Sequence, residues 1–264
     1  LFSTGNIISI EEAVHYPMAC HENPKDILLI SGGISGTLKE IMKYHPESID
    51  YVELDPLLIT LGGRYTDNLK VGNLTIYKTD GRAFVKTAEK KYDVIISDLP
   101  DPESAQINRF YTREFFEEVK RILKPGGIFS LSLSGSINYM NKETIKLNSV
   151  VYNTLKEVFM YVIVIPGDEN YYLASDSPLN YNISEKINQK GINTSYVKEE
   201  YIVGILTKDR IDYFFTSLKK KGEKRINEDF RPLGYYKYLL FWLSHFGINT
   251  FPFLILGLFG TLLL

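Results

Sequence analysis

The sequence predicts an α/β fold in which helices cover both faces of a doubly wound, mostly parallel, seven-stranded sheet. Short apolar runs rich in β-branched residues, such as DILLI at 26–30, alternate with longer segments of helical periodicity. A glycine-rich turn, SGGISG at 31–36, directly follows the first of these runs. The last two runs are close neighbours in the chain, so we expect them to pair as antiparallel strands at one edge.

Each predicted strand is followed within three residues by a glycine, a proline or an acidic residue. The predicted strands are Asp26–Ile30, Ile49–Val52, Leu74–Tyr77, Asp93–Ile96, Ile128–Leu133, Tyr161–Ile165 and Tyr171–Ala174. Helices are predicted at 37–43, from about Arg82, over EFFEEVKRIL at 114–123 and at 142–159. Lys124-Pro125-Gly126-Gly127 is typical of the end of a helix.

The ends of the chain differ in character from this repeated pattern. Residues 1–10 are predicted to hold the last strand of an N-terminal hairpin, and a helix is expected over 11–20 with Glu11 and Glu12 in its first turn. We therefore divide the chain into a hairpin remnant and entry helix (1–23), a cofactor-binding catalytic domain (24–180), a helical extension (181–240) and a terminal apolar segment (241–264).

Composition and charge exclude several classes of protein. The net charge of −2 is not that of a nucleic-acid-binding domain. A single cysteine, Cys20, excludes an internal disulfide and is typical of a reducing compartment. The four histidines are scattered along the sequence, so no metal site is predicted.

The far end of the chain is predicted to be a transmembrane helix. Residues 247–264 (GINTFPFLILGLFGTLLL) are nearly all apolar, and no charged residue follows Lys237. The alternative is a buried terminal helix, although a surface helix would show a polar stripe. The basic segment 219–225 (KKKGEKR) favours contact with membrane lipid and a cytoplasmic side of the cell membrane for the folded domain.

Acidic residues mark the expected functional edge of the sheet. Asp98 and Asp101 follow the fourth strand in the stretch DVIISDLPDP, beyond the carboxyl end where α/β sheets bind ligands. Glu53 ends the second strand about 20 residues beyond the glycine turn, the position of an acid that binds ribose hydroxyls. Asp80 follows the third strand, where it could accept a hydrogen bond from an adenine amine or cap the next helix.

With these residues in place, the chain resembles the spermidine synthase family of aminopropyltransferases, and more narrowly its membrane-attached branch. The resemblance covers 11–177 and is carried by EEAVHY, LLISGGISG, YVELDP, TDGRAF, DVIISDLPDP, FYTREFFEEVKRILKPGG and NYYLASDSP. It implies a Rossmann-like sheet of the class I methyltransferase type, with decarboxylated S-adenosylmethionine as co-substrate and a small amine such as putrescine as acceptor. It also suggests a homodimer.

The resemblance implies roles for particular residues. Asp98 would deprotonate or orient the attacking amine, and Asp101 would hold substrate ammonium. The remaining candidates for binding the amine are Glu12, His15, Tyr16, Tyr111 and Tyr172, with Tyr111 and Tyr172 equally open to being core aromatics. The candidates for binding the cofactor are Gly32, Gly33, Gly36, Glu53, Asp80 and Gly81.

Two departures from the family pattern keep other functions open. Ile34 replaces the aspartate of the glycine turn, and His15-Tyr16 stands in reversed order. A methyltransferase that uses S-adenosylmethionine is therefore one alternative. The other is a non-catalytic membrane module that binds a nucleoside or a polyamine.

Overall fold

A twisted seven-stranded sheet with helices on both faces forms the centre of the computed structural model, which describes residues 6–136 and 139–244. The strand order is β3-β2-β1-β4-β5-β7-β6, and only β7 is antiparallel to its neighbours. The strands are β1 Asp26–Ile30, β2 Ser48–Glu53, β3 Leu74–Lys78, β4 Tyr92–Ser97, β5 Leu123–Ser134, β6 Tyr161–Ile165 and β7 Glu169–Ser175. The predicted α/β class is confirmed, and so is the antiparallel pairing of the last two strands, β6 and β7, at one edge.

The helices divide between the two faces of the sheet. They are α1 Ile7–Cys20, α2 Leu38–Met42, α3 Pro56–Tyr65, α4 Gly81–Thr87, α5 Ala105–Asn108, α6 Arg113–Ile122, α7 Lys142–Val158, α8 Ile183–Gln189, α9 Glu199–Ile205, α10 Lys208–Lys221 and α11 Leu233–Ser244. One apolar core joins α4, α6, α7 and α10 to one face. Two further clusters join α1, α2, α3, α8 and α9 to the other face. Both faces of the sheet are thus buried, as the apolar strands require.

The prediction of a strand before residue 10 is wrong for the part that the structure describes. Helix α1 already begins at Ile7, and the Asn6 side chain caps it by accepting a hydrogen bond from the Ser9 amide. Glu11 and Glu12 therefore lie beyond the first turn and are buried. The isoleucines favour a strand locally, but the cap and the packing of α1 against the sheet outweigh this preference.

The fifth strand also begins earlier than predicted. Helix α6 ends at Ile122, and Leu123 already pairs with Tyr92 of β4. The Pro-Gly-Gly stretch therefore lies within β5, where the register shifts and Gly126 adopts a positive φ of 79°. Glycine tolerates this left-handed conformation, so the irregularity interrupts the ladder without ending the strand.

The C-terminal helix crosses the boundary that we predicted at residue 240. Helix α11 runs from Leu233 to Ser244 and packs on α7. The predicted transmembrane segment at 247–264 lies outside the described residues. Within 6–136 and 139–244, no helix has the length and apolar character needed to span a bilayer.

Candidate active site

The loop after β4 carries the two aspartates predicted as the reacting pair. The Asp98 amide donates to the Ile30 carbonyl at 3.0 Å, so the loop starts beside the glycine turn that follows β1. This point lies between β1 and β4, where the strand order reverses. Sheets of this type have their ligand-binding crevice at such a point, and we refer to this edge of the sheet as the crevice. The sheet therefore brings Asp98 and the glycine turn together, as the sequence predicted.

Asp98 is held against the glycine turn. A methyl group placed on Gly32 would lie 1.8 Å from Asp98 Oδ2, so the carboxylate occupies the space that any side chain at 32 would fill. Thr37 Oγ1 donates to the same oxygen at 3.4 Å. Burial, reinforced by the negative charge of Glu169, raises the pKa of Asp98 to about 6. An acid of that strength exchanges protons readily near neutral pH.

Asp101 is fixed by one oxygen and leaves the other unpaired. Its Oδ1 accepts a hydrogen bond from the Ser134 amide at 2.9 Å. Its Oδ2 is buried and has no hydrogen-bond partner among the described residues. Burial raises the pKa of Asp101 despite the bond to Ser134. An unpaired buried carboxylate oxygen can accept a cationic donor at little cost, because its desolvation has already occurred.

Tyr111 is hydrogen-bonded to the loop that carries the two aspartates. Its side chain is buried, and its hydroxyl donates to the Pro100 carbonyl at 2.8 Å. Tyr172, the other aromatic predicted to line an amine channel, is buried in the same apolar core and donates to Asn148 Oδ1 at 2.6 Å. Both are core aromatics, which was the alternative left open by the sequence. Only Tyr111 touches the aspartate loop.

We expect Tyr111→Phe to lower kcat severalfold and to destabilise the protein by about 1–2 kcal/mol, because the Pro100 carbonyl loses its buried donor. Tyr172→Phe is the matched control, since it removes an equally buried hydroxyl that donates to Asn148 instead of to the aspartate loop. Thermal unfolding and steady-state turnover of both variants test this. Equal kcat values for the two variants would show that Tyr111 does not position the loop.

Glu53 closes the crevice on the β2 side. It is buried at the end of β2, where Oε2 accepts hydrogen bonds from the Tyr51 hydroxyl at 3.0 Å and Ser31 Oγ at 3.4 Å. Oε1 accepts from the Asp55 amide at 3.1 Å. These donors hold the carboxylate in one orientation beside the glycine turn, as a ribose-binding acid requires. The ribose role itself stays a prediction.

Asp80 has two partners in the structure. Its Oδ1 caps α4 by accepting from the Ala83 amide at 2.9 Å, which confirms the helix-capping alternative. Its Oδ2 forms an ion pair with Arg109. The following residue, Gly81, lies against Ile30: a methyl group on it would be 2.7 Å from the Ile30 side chain. The predicted adenine contact would add to the capping role.

The glycine turn itself is shaped by neighbouring side chains. A methyl group on Gly33 would lie 2.7 Å from the Tyr51 ring, whereas at Gly36 the nearest atom is 3.7 Å away. Ile34, at the position of the family's aspartate, is buried and packs against Gly62 of α3. An aspartate side chain is therefore replaced by an apolar contact between the turn and α3.

Helix α1 presents two different rows of side chains. Glu12 and Tyr16 form one row, with the Tyr16 hydroxyl donating to Glu12 Oε1 at 2.9 Å. Burial raises the pKa of Glu12 to about 7, and the charges of Glu169 and Asp168 add to the shift. Glu12 and Tyr16 therefore lie near the acids Asp168 and Glu169, and their role in binding the amine stays a prediction.

His15 belongs to the other row and is not brought to these acids. It is fully buried, with Nδ1 bonded to the Tyr44 hydroxyl at 3.0 Å and Nε2 to Glu40 at 2.9 Å. Glu11, one turn earlier, accepts backbone amides at 195–197. Among the described residues Glu11, His15 and Glu40 lie close enough to hold a metal ion, but all are already bonded within the protein. We assign these residues to the packing of α1.

Three further residues near Glu12 are not marked by the sequence pattern: Glu169 and Tyr171 of β7 and Tyr201 of α9. The Tyr171 hydroxyl lies 3.2 Å from Glu169 Oε2, and the Tyr171 ring meets Tyr16 edge to face at 5.3 Å. Tyr201, from α9, donates to Glu12 Oε1 at 2.9 Å. Strand alternation would have pointed to Tyr171, because odd-numbered residues of β7 share the face on which α1 packs.

Known proteins resemble this chain in sequence. Residues 7–176 match the family described as the spermine/spermidine synthase domain. The chain is 32% identical over 203 residues to the polyamine aminopropyltransferase of Sulfurisphaera tokodaii, covering 71% of this chain and 65% of that protein. It is 32% identical over 206 residues to the enzyme of the same name from Alkaliphilus metalliredigens, covering 72% and 71%. The chain thus spans about two thirds of the length of these relatives.

Solved structures agree in fold. A spermidine synthase in complex with the transition-state analogue AdoDATO superposes with a TM-score of 0.66 at 26% identity, covering 81% of this chain and 76% of that one. The spermidine synthase from Thermotoga maritima gives a TM-score of 0.65 at 25% identity over 81% and 75%. Human methyltransferase-like protein 13, at 20% identity and a TM-score of 0.51, shares the fold alone.

Proposed function

Because the chain belongs to the spermine/spermidine synthase family, we propose that it is a polyamine aminopropyltransferase. It transfers the aminopropyl group of decarboxylated S-adenosylmethionine to an amine acceptor such as putrescine and releases methylthioadenosine. The observation that carries the proposal is the position of Asp98, whose carboxylate lies directly against the glycine turn at Gly32. A proton acceptor is thereby placed at the edge of the crevice where the cofactor is expected.

In this mechanism Asp98 takes a proton from the reacting ammonium group of the acceptor. The neutral amine then has a lone pair and attacks the methylene carbon next to the sulfonium. The new nitrogen–carbon bond forms as the carbon–sulfur bond breaks, and the sulfur leaves as a neutral thioether. Since the leaving group is already activated, the protein contributes mainly alignment and proton removal.

The remaining residues divide between the two substrates. Glu53 would bind the ribose hydroxyls, Asp80 with Gly81 the adenine, and the glycine turn at Gly32, Gly33 and Gly36 the chain on sulfur. Asp101 would hold an ammonium group through its buried, unpaired Oδ2. Glu12 would do the same from the α1 side, supported by Tyr16 and Tyr201.

The purified full chain should produce methylthioadenosine from decarboxylated S-adenosylmethionine when amines are supplied, measured by chromatography. A panel of diamines and longer polyamines covers the acceptor. If the decarboxylated compound binds but no amine yields methylthioadenosine, the proposal is wrong.

Calorimetry with the two sulfonium compounds tests the methyl-transfer alternative. The buried Ile34 provides no carboxylate at this position of the turn. We nevertheless expect tighter binding of the decarboxylated compound, because Asp98 and Asp101 repel the carboxylate of S-adenosylmethionine. Tighter binding of S-adenosylmethionine, with methyl transfer to an amine, would favour the alternative.

We further propose that the protein is attached to the cell membrane with the folded domain on the cytoplasmic side. The support is in the sequence: the apolar run at 247–264 follows the basic segment 219–225. Extraction of the full chain from membranes by detergent, but not by alkaline carbonate, is the expected result. The homodimer suggested by the family resemblance is testable by sedimentation of the detergent-solubilised protein.

A further inference from the structure

The crevice holds a set of acids that lack cationic partners. None of Glu12, Asp98, Asp101, Asp168 and Glu169 forms an ion pair with a lysine or arginine in the described part of the chain. The hydroxyls of Tyr16 and Tyr201 both donate to Oε1 of Glu12, and this residue is only 8% exposed. Asp101 Oδ2 is buried without any partner. Negative charge is therefore concentrated here without compensation from the protein.

Other acids with low exposure are neutralised or fully bonded. Asp50 pairs with Lys90 at 2.9 Å, and Asp93 pairs with Lys124 at 3.0 Å. Glu11 accepts backbone amides on both of its oxygens. Since a buried charge without a partner is costly, the exception at the crevice indicates that the compensating cations come with a ligand.

Glu169 connects the two halves of this acidic set. It lies opposite Ser134 in the β5–β7 ladder, and the Ser134 amide binds Asp101. Its carboxylate lies beside the Tyr171 hydroxyl, and Tyr171 contacts Tyr16, which in turn binds Glu12. The charge of Glu169 also raises the pKa values of Asp98, Asp101 and Glu12. Glu169 thus lies between the reacting end of the crevice and Glu12.

We propose that the acceptor is a linear polyamine with at least three amino groups, and that Glu169, with Asp168 beside it, selects this acceptor over a diamine. The inference rests on the proposed aminopropyl transfer and specifies its substrate class. A diamine brings one ammonium group besides the amine that reacts at Asp98. A triamine brings two, which lets Asp101 and Glu169 share one cation while Glu12 and Asp168 bind the other.

The test compares spermidine with putrescine as acceptors for the full chain at saturating decarboxylated S-adenosylmethionine. We expect kcat/KM to be at least ~10-fold higher for spermidine, because putrescine lacks one charge-assisted contact that spermidine makes. Glu169→Gln should reduce this preference by at least ~10-fold, mainly through KM for spermidine. Glu157→Gln removes an exposed acid on α7 and should leave the preference unchanged.

The outcomes separate this inference from the proposed function. Methylthioadenosine release with putrescine as good as with spermidine, or a preference that Glu169→Gln does not alter, would refute the inference and leave aminopropyl transfer intact. No release with any amine would refute the proposed function and the inference together. Because Glu169 is exposed at the start of β7, the glutamine variant should fold normally, and an unchanged thermal transition checks this.

Discussion

Asp98→Asn should lower kcat by about 10²–10⁴-fold while the affinity for decarboxylated S-adenosylmethionine changes little. The amide keeps the shape that fits against Gly32 and can still accept the hydrogen bond of Thr37. It cannot take the proton of an ammonium group, so the amine has no lone pair with which to attack. Single-turnover release of methylthioadenosine gives the rate, and calorimetry gives the affinity.

Asp98→Asn should also change the pH dependence of kcat/KM. Since the pKa of Asp98 is about 6, kcat/KM of the wild type should rise with pH through an acidic limb near that value, and the variant should lack this limb. Asp209→Asn, in the exposed first turn of α10, is the control and should keep the wild-type profile. A variant with wild-type kcat would show that Asp98 is not the proton acceptor.

Asp98→Asn should increase the stability of the folded protein, although it lowers its activity. Folding raises the pKa of Asp98 from 3.8 to about 6, so the folded state binds the proton more tightly than the unfolded state. The free energy of unfolding therefore falls as pH rises between these values, and the ionised form bears the full cost above pH 6. Asp98→Asn removes this cost and should stabilise the protein by about 1–3 kcal/mol at pH 7.5, measured by urea unfolding. Equal stabilities there would mean that Asp98 carries no such penalty.

The strands could be predicted from the sequence because their signal is local. β1 and β6 begin and end where the apolar runs do, since Ser-Gly and Pro-Gly bound them. The prediction of a strand at the N-terminus was wrong because the signal there is not local. Whether Ile7 and its neighbours form a strand or a helix depends on the Asn6 cap and on packing against the rest of the protein. Neither can be recognised from the run of isoleucines.

The sequence pattern alone marked site residues where side chains follow strand ends, whereas Glu12 and Tyr16 of α1 were marked by the family resemblance. Asp98 and Glu53 follow that rule and lie at the crevice. Glu169 lies at the start of β7 and Tyr201 on helix α9, both distant in sequence from Glu12, so only tertiary structure brings them to it. His15 and Tyr16 show the finer difficulty: one residue along a helix turns the side chain by about 100°, so neighbours in one motif face different elements.

Gly32→Ala should cause the largest combined loss of stability and activity at the glycine turn. Gly32 has a φ of 76°, which costs an alanine about 1–2 kcal/mol, and the added methyl group would lie 1.8 Å from Asp98 Oδ2. The carboxylate would have to leave its position, so we expect kcat to fall at least as far as in Asp98→Asn. Binding of decarboxylated S-adenosylmethionine should also weaken, because the displaced side chain would enter the crevice.

Gly191→Ala separates the clash at Gly32 from backbone strain. Gly191 has a similar φ of 64°, but no atom lies within 4 Å of the added methyl group. It should therefore lose about 1–2 kcal/mol of stability and keep full turnover. If both alanine variants lose stability equally and both keep wild-type kcat, the contact between Gly32 and Asp98 does not position the carboxylate. If only Gly32→Ala loses turnover, the loops that follow β1 and β4 are coupled. The absence of a side chain at Gly32 then fixes the position of the Asp98 carboxylate.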